Sequence, residues 1–274
     1  MKLASIHVYP IKSTRGIDLP ASEVLPRGLP GDRRWMLVDA NGRFLTARQH
    51  PRLAMVETAF DGDVLRVRAP DMPELTLPLQ PASPRLRRVQ VWNDTLDAVL
   101  AGAAADDWFS QWLGKPVQLV QMTDDIHRGV DPDYGQPGDE VSFADGFPLL
   151  LIGEGSLADL NARLASPVPM HRFRPNVVIA GSEPYAEDTW ARLRIGEVEF
   201  EGVKNCSRCV FTTIDPGTGT KSPDGEPLRT LQTYRLGDGG IYFGQNLIPR
   251  RGGTIRVGDE VEILEVRPER AKVR

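Results

Sequence analysis

The sequence predicts a mainly β fold of the α+β kind, with an N-terminal β-barrel-like domain followed by a larger β-rich domain holding a few helices. Three observations carry this. Short strand-like runs recur through the first hundred residues, prolines separate them, and only two stretches have clear helical spacing. The expected domains span 1–95 and 120–274, with a helical connection over 95–120.

The first element is a hairpin. Runs at 34–38 and 43–47 flank Asn41-Gly42, a pair that tolerates the positive φ of a tight turn. Strand-like runs follow at 63–68, 74–79 and 88–92. Pro70, Pro73, Pro78, Pro81 and Pro84 keep them short, because proline lacks the N–H that a ladder needs. A small barrel or sandwich is how such strands bury their faces. Residues 101–113 then change character. Trp108, Phe109, Trp112 and Leu113 fall at helical spacing, and Gly114 with Pro116 supplies the stop. These aromatics read as packing. Segment 123–142, rich in Asp, Gly and Pro, reads as a long loop, either mobile or a lid over a site.

Ser156-Leu157-Ala158-Asp159 resembles a capping box that opens a second helix, with Leu157, Leu160 and Leu164 on one apolar face. Strands resume after Asn176, at 177–180, 193–195, 197–203 and 209–214. The tail from Thr254 alternates in strand fashion around a turn at Gly258-Asp259. No internal repeat is visible.

Bulk properties exclude several function classes. Hydrophobic residues make up 41% and charged residues 26%, as in ordinary globular domains, and no apolar run is long enough to span a bilayer. The opening residues lack the apolar core of a secretory signal, so a cytoplasmic protein is expected. A net charge of -4 gives no support for nucleic-acid binding. Yet Arg33, Arg34, Arg172, Arg174 and Arg208 sit beside turn or aromatic residues, which suits a small anionic ligand. Two cysteines rule out both a disulfide framework and an internal four-cysteine iron–sulfur cluster.

Those cysteines, Cys206 and Cys209, stand in the densest motif, the run at 205–215. A zinc site needs further ligands, and His7, His50, His127 and His171 lack ligand spacing. A reactive dithiol needs a helix N-terminus, whereas Val210-Phe211-Thr212-Thr213-Ile214 favours a strand. Two buried, inert thiols are the plain alternative. Arg208 next to Cys209 favours thiolate, and one thiolate suffices for a soft or high-valent metal if a cofactor brings the other donors. Such a cofactor needs anion-binding groups. Lys12-Ser13, Arg33 and Arg172-Phe173-Arg174-Pro175-Asn176 offer them, the last with two cations on one side of an extended segment.

At these residues the sequence resembles the MOSC family, in the branch with an N-terminal β-barrel domain that includes the mitochondrial amidoxime-reducing component and its bacterial relatives. The matching stretches run nearly end to end: Tyr9-Pro10-Ile11-Lys12-Ser13, Asp32-Arg33-Arg34-Trp35, Thr46-Ala47-Arg48-Gln49, Phe173-Arg174-Pro175-Asn176, residues 206–216, and Phe243-Gly244-Gln245-Asn246. The resemblance implies a molybdenum cofactor (Mo-molybdopterin), with Cys209 as the metal ligand and catalytic residue. It implies cofactor contacts from Lys12, Ser13, Arg33, Arg174, Asn176, Ser207, Arg208 and Asn246, and gives Cys206 no ligand role. The implied reaction reduces N-hydroxylated compounds such as hydroxylamines and amidoximes. The iron–sulfur domain of some bacterial relatives and the anchor of the mitochondrial proteins are not expected here. Electrons are therefore expected from a separate ferredoxin-like or haem carrier with its reductase, with pyridine nucleotide involved only indirectly. The competing expectation is a cofactor carrier or sulfur-transfer protein.

Overall fold

The computed structural model describes residues 1–81 and 85–267, so Pro84 and the end of the expected second domain lie outside the described residues. The fold is mainly β with few helices, as the sequence predicts. Among the described residues the largest sheet has nine strands. Its order is Ile17–Leu19, Lys2–Val8, Val177–Ala180, Leu149–Gly153, Gly240–Arg251, Val198–Arg208, Trp190–Ile195 and Val261–Val266, with Leu236–Gly237 paired to the Gly240–Arg251 strand. Leu149–Gly153 and Val177–Ala180 run parallel, with the helix Glu154–Arg163 in the connection between them. That pairing suits their sequences, because apolar runs without alternation fit strands covered on both faces.

The opening strand Lys2–Val8 lies antiparallel to Val177–Ala180, so the first residues of the chain belong to the large sheet. From Trp35 to Gln121 the strands form sheets of their own. Trp35–Val38, Gln118–Gln121, Asp94–Leu100 and Leu86–Val91 form a four-stranded sheet, and Glu57–Asp61, Val64–Arg68 and Leu75–Pro78 form a meander. The expected hairpin turns at Gly42, whose φ is 76° and whose missing side chain lets Arg88 O approach. Its second arm forms isolated bridges (Phe44 to Val38, Arg43 to Gln90) in place of a full strand. The helix Ala103–Leu113 buries Ala105, Trp108, Phe109 and Trp112 and ends on left-handed Gly114, as its spacing predicts.

Three local expectations need correction. The second helix starts at Glu154, and Ser156 is no cap; its hydroxyl donates to the buried Glu187 carboxylate and accepts from Tyr185 N. Residues 209–214 are not a strand. The strand Val198–Arg208 ends before Cys209, and Val210–Thr213 winds into a 3-10 turn. The Thr212 and Thr213 hydroxyls donate to Cys209 O and Val210 O at 3.1 and 2.8 Å, and this local bonding overrides β propensity. The tail forms two strands around a turn at Gly258-Asp259, as expected, with Gly253–Arg256 joining Ala21–Val24 and Val261–Val266 joining Trp190–Ile195. Segment 123–142 is irregular, but ion pairs from Arg27 to Glu140 and from Arg250 to Asp139 hold it down. It does not border the cleft described next.

Candidate functional site

A cleft of about 830 Å³, open to solvent, lies where the N-terminal half meets the large sheet. All nine residues that the resemblance implies as cofactor contacts or metal ligand border it: Lys12, Ser13, Arg33, Arg174, Asn176, Ser207, Arg208, Cys209 and Asn246. The topology explains the convergence. Lys12 and Ser13 follow the strand Lys2–Val8, and Arg174 and Asn176 immediately precede its neighbour Val177–Ala180. Arg33 lies just before Trp35–Val38, Ser207 and Arg208 end the strand Val198–Arg208, and Asn246 sits on the adjoining strand opposite Lys204.

The backbone is unusual at three of these positions. Ser13, Arg33 and Arg174 have φ of 75°, 47° and 57°, half of the six positive-φ non-glycine residues described. Each such residue costs on the order of 1–3 kcal/mol, so it persists only where surrounding contacts over-determine it. Arg33 shows those contacts. Its guanidinium donates to both oxygens of the buried Asp32 carboxylate (2.8 and 2.6 Å), to Asn176 Oδ1 (3.0 Å) and to Arg174 O (3.2 Å). Arg33 and Arg174 each lie 4.2 Å from the centre of the buried Tyr9 ring. Burial, followed by the nearby Arg33 charge, lowers the Arg174 pKa to about 10. The Tyr9 hydroxyl, donating to Pro175 O, is pushed up to about 12 by burial.

Asn176 is 1% exposed, and its side chain is committed to the protein. Oδ1 accepts from Arg33 and from Leu150 N, while Nδ2 donates to His7 O. It therefore positions Arg33 and ties together the start of two strands.

Lys12 is buried, and its ammonium donates to Phe143 O (2.7 Å) and Asp145 Oδ1 (2.5 Å). Burial lowers its pKa even with Asp145 alongside. Asp145 is the carboxylate of the cleft wall, which otherwise carries the charges of Lys12, Arg33, Arg48, Arg174 and Arg208. Burial alone would raise its pKa, but Lys12 and Arg48 outweigh burial and hold it below the usual range. Arg48 reaches Asp145 Oδ2 at 3.1 Å while stacking 4.6 Å from the Trp92 ring centre. Sequence reasoning missed Asp145 entirely. Arg48 lay in a matching stretch but received no role.

The cysteine corner departs from expectation in one respect. Arg208 does not serve Cys209: its Nη1 donates to Cys206 Sγ at 3.0 Å and its Nη2 to Phe173 O at 2.5 Å, while Nε is buried without an acceptor. Cys209 follows the last residue of the strand, caps the 3-10 turn through its carbonyl, and is partly exposed. Its Sγ has no hydrogen-bond partner among the described residues. Two other cations point elsewhere. Arg172 turns away from the cleft to pair with Asp215 at 2.8 Å, so the two cations expected on one side of 172–176 diverge. Arg34 holds Met122 O and Asp124. Asp215 itself accepts from Gly217 N and Thr218 N, the turn role its sequence suggests. Among the described residues, no group of three or more His, Cys, Asp or Glu side chains could hold a metal ion. Nor, among these residues, is any helix long and apolar enough to cross a membrane.

Comparison with known proteins accounts for most of the chain. The MOSC N-terminal beta barrel domain matches residues 1–116 and the MOSC domain matches residues 138–262. Mitochondrial amidoxime-reducing component 1 of Homo sapiens is 37% identical, covering 96% of this chain and 82% of that protein. The Danio rerio protein of the same name is 36% identical over 93% of this chain and 82% of its own length. Mitochondrial amidoxime reducing component 2 of Homo sapiens is 35% identical over 94% and 82%. These names overturn the cytoplasmic location expected from the N-terminus. That expectation weighed only the features of a secretory signal, and these do not test import into an organelle. The chain belongs to the MOSC family, with both the N-terminal barrel and the MOSC domain, alongside the amidoxime-reducing components.

Proposed function

We propose that this chain is a reductase of N-hydroxylated compounds, with a molybdenum cofactor held in the cleft and Cys209 Sγ as the protein's single metal ligand. The observation that carries the proposal is the pairing of one unpartnered thiol with five cations around one cleft. The donor set fits such a group. A lone soft thiolate can complete a coordination sphere only if the ligand brings the remaining donors, and no cluster of harder protein donors competes for the metal. Arg208 Nε, buried and without an acceptor among the described residues, is a donor that a bound ligand could satisfy. The names of the relatives support the substrate class.

When bound, the cofactor supplies two-electron reduction of the N–O bond, with two protons taken up and water released. The chain's residues bind and orient. Lys12, Arg33 and Arg174 meet anionic oxygens, with Arg33 fixed in advance by Asp32 and Asn176 so that little side-chain entropy is lost on binding. Ser13, Ser207 and Asn246 offer polar contacts along the wall. Asp145 keeps Lys12 and Arg48 in place. Electrons come from a separate one-electron carrier, iron–sulfur or haem, with its own reductase.

The test begins with metal and pterin analysis of the purified protein, followed by turnover of an N-hydroxylated purine. Reduced viologen, or a carrier protein with its reductase, should start turnover, while NADH alone should not. Cofactor-loaded protein that stays inactive with every donor and a panel of N-hydroxylated substrates would sink the reductase reading.

A further inference from the structure

The main cleft has a neighbour on the far side of Arg174. A second cleft of about 870 Å³ shares Arg174 and Phe211 with it, so one guanidinium forms a wall of both. Arg174 donates to Thr14 O and lies over the Tyr9 and Phe211 rings, at 4.2 and 5.1 Å from their centres. Arg15, Arg172, His7 and His171 border the far side, and the one carboxylate of that lining, Asp18, is engaged by His7 Nδ1 at 2.6 Å. The rest of the lining is largely apolar and includes Phe211, Ile214 and Pro216.

The cations here are poorly used by the protein. Arg172 gives one nitrogen to Asp215, but its Nε is buried without an acceptor among the described residues. Arg15 pairs with Glu57 across a half-exposed contact, a bond worth little against water and readily exchanged for a better anion. Desolvation, then the charges of Arg15 and His7, lowers the pKa of His171. Guanidinium forks match phosphate oxygens, and a ring face beside them suits a planar heterocycle.

We propose that this second cleft is a phosphoryl subsite. It takes the phosphorylated, heterocycle-bearing end of an elongated ligand whose reacting end lies in the main cleft. The proposal rests on the cofactor reading of the main cleft. Two sources share this chemistry: a nucleotide carried by the cofactor, or an N-hydroxylated substrate that is itself a nucleotide.

The experiment uses the purified, cofactor-loaded protein, with Arg172→Gln and Arg15→Gln as variants checked for unchanged melting temperature. The cofactor is first released and its form identified. If it carries a nucleotide, both variants should lose that form while the plain pterin is still retained; equal nucleotide content in wild type and variants overturns the proposal. If it carries none, calorimetry should show a nucleoside monophosphate and inorganic pyrophosphate binding the wild type, with affinity about tenfold or more weaker in either variant. An N-hydroxylated nucleoside 5′-phosphate should then also have a lower KM than its nucleoside. No binding to the plain-pterin form, or equal binding by the variants, overturns the proposal. The cofactor-form and calorimetric readouts need no turnover, so their failure is distinguishable from failure of the reductase reading.

Discussion

Two parts of the main cleft are built on opposite plans. Around Arg33 nearly every donor and acceptor is spent: Asp32, Asn176, Arg174 O and the Tyr9 ring all hold it, and the strained backbone at Ser13, Arg33 and Arg174 is part of that frame. At Cys209 little is spent. The thiol stands at a strand end, supported by a short 3-10 turn, with its sulfur unpaired. A rigid anion cradle beside an uncommitted soft donor is what a ligand with a charged end and a metal end requires. The contrast also separates the two cysteines, because Cys206 Sγ already accepts from Arg208.

The sharpest way to break that comparison is to exchange the thiols one at a time. Cys209→Ser should abolish reductase turnover and alter the metal absorption spectrum, whereas Cys206→Ser should change both much less. Equal effects would point to a paired-ligand or dithiol site. The next largest effect lies in the frame. Asp32→Asn removes the carboxylate from a buried pair and leaves the Arg33 charge without it, a loss of about 3–5 kcal/mol in folding stability. Urea denaturation reads it, and a loss below about 1 kcal/mol would mean that Arg33 is held by its other partners. Arg33→Ala and Arg174→Ala should each weaken cofactor retention by about 2–5 kcal/mol if they meet buried anionic groups. Full cofactor content after gel filtration in both variants would mean that these arginines do not hold the cofactor.

The sequence made the membership of the cleft legible, because each contributing residue stands in a compact motif: Lys12-Ser13, Asp32-Arg33, Arg174-Pro175-Asn176 and Ser207-Arg208-Cys209. What it hid were directions. Neighbouring residues in one motif part company once the backbone turns, so Arg172 leaves for Asp215 while Arg174, at positive φ, enters the cleft. Arg208 likewise reaches Cys206 two residues back, not the Cys209 beside it. The run Val210-Phe211-Thr212-Thr213 has strand composition, yet its threonines bond to local carbonyls and close a turn. Asp145 gave no signal, since its partners Lys12 and Arg48 lie 133 and 97 residues away in the chain.

Asp145 supplies the smallest expected effect and the finest test of how the two plans meet, because it ties Lys12 of the cradle to Arg48 and the Trp92 ring. Lys12 and Arg48 outweigh the desolvation of the cleft wall and hold its carboxyl below the ordinary value of 3.8, so the folded state prefers the ionised form. A carboxyl depressed on folding contributes stability that is present above its unfolded pKa and lost as pH falls through the folded pKa. Asp145→Asn should therefore destabilise at neutral pH, and the gap from wild type should close as pH drops below about 4. The Asp145 side chain is 61% exposed, which holds the effect to about 1 kcal/mol or less. Urea midpoints across that range read it directly. A gap that stays constant down to about pH 3 would show that Asp145 acts through packing or hydrogen bonding alone, and Lys12 would then be held in the cleft by Phe143 O.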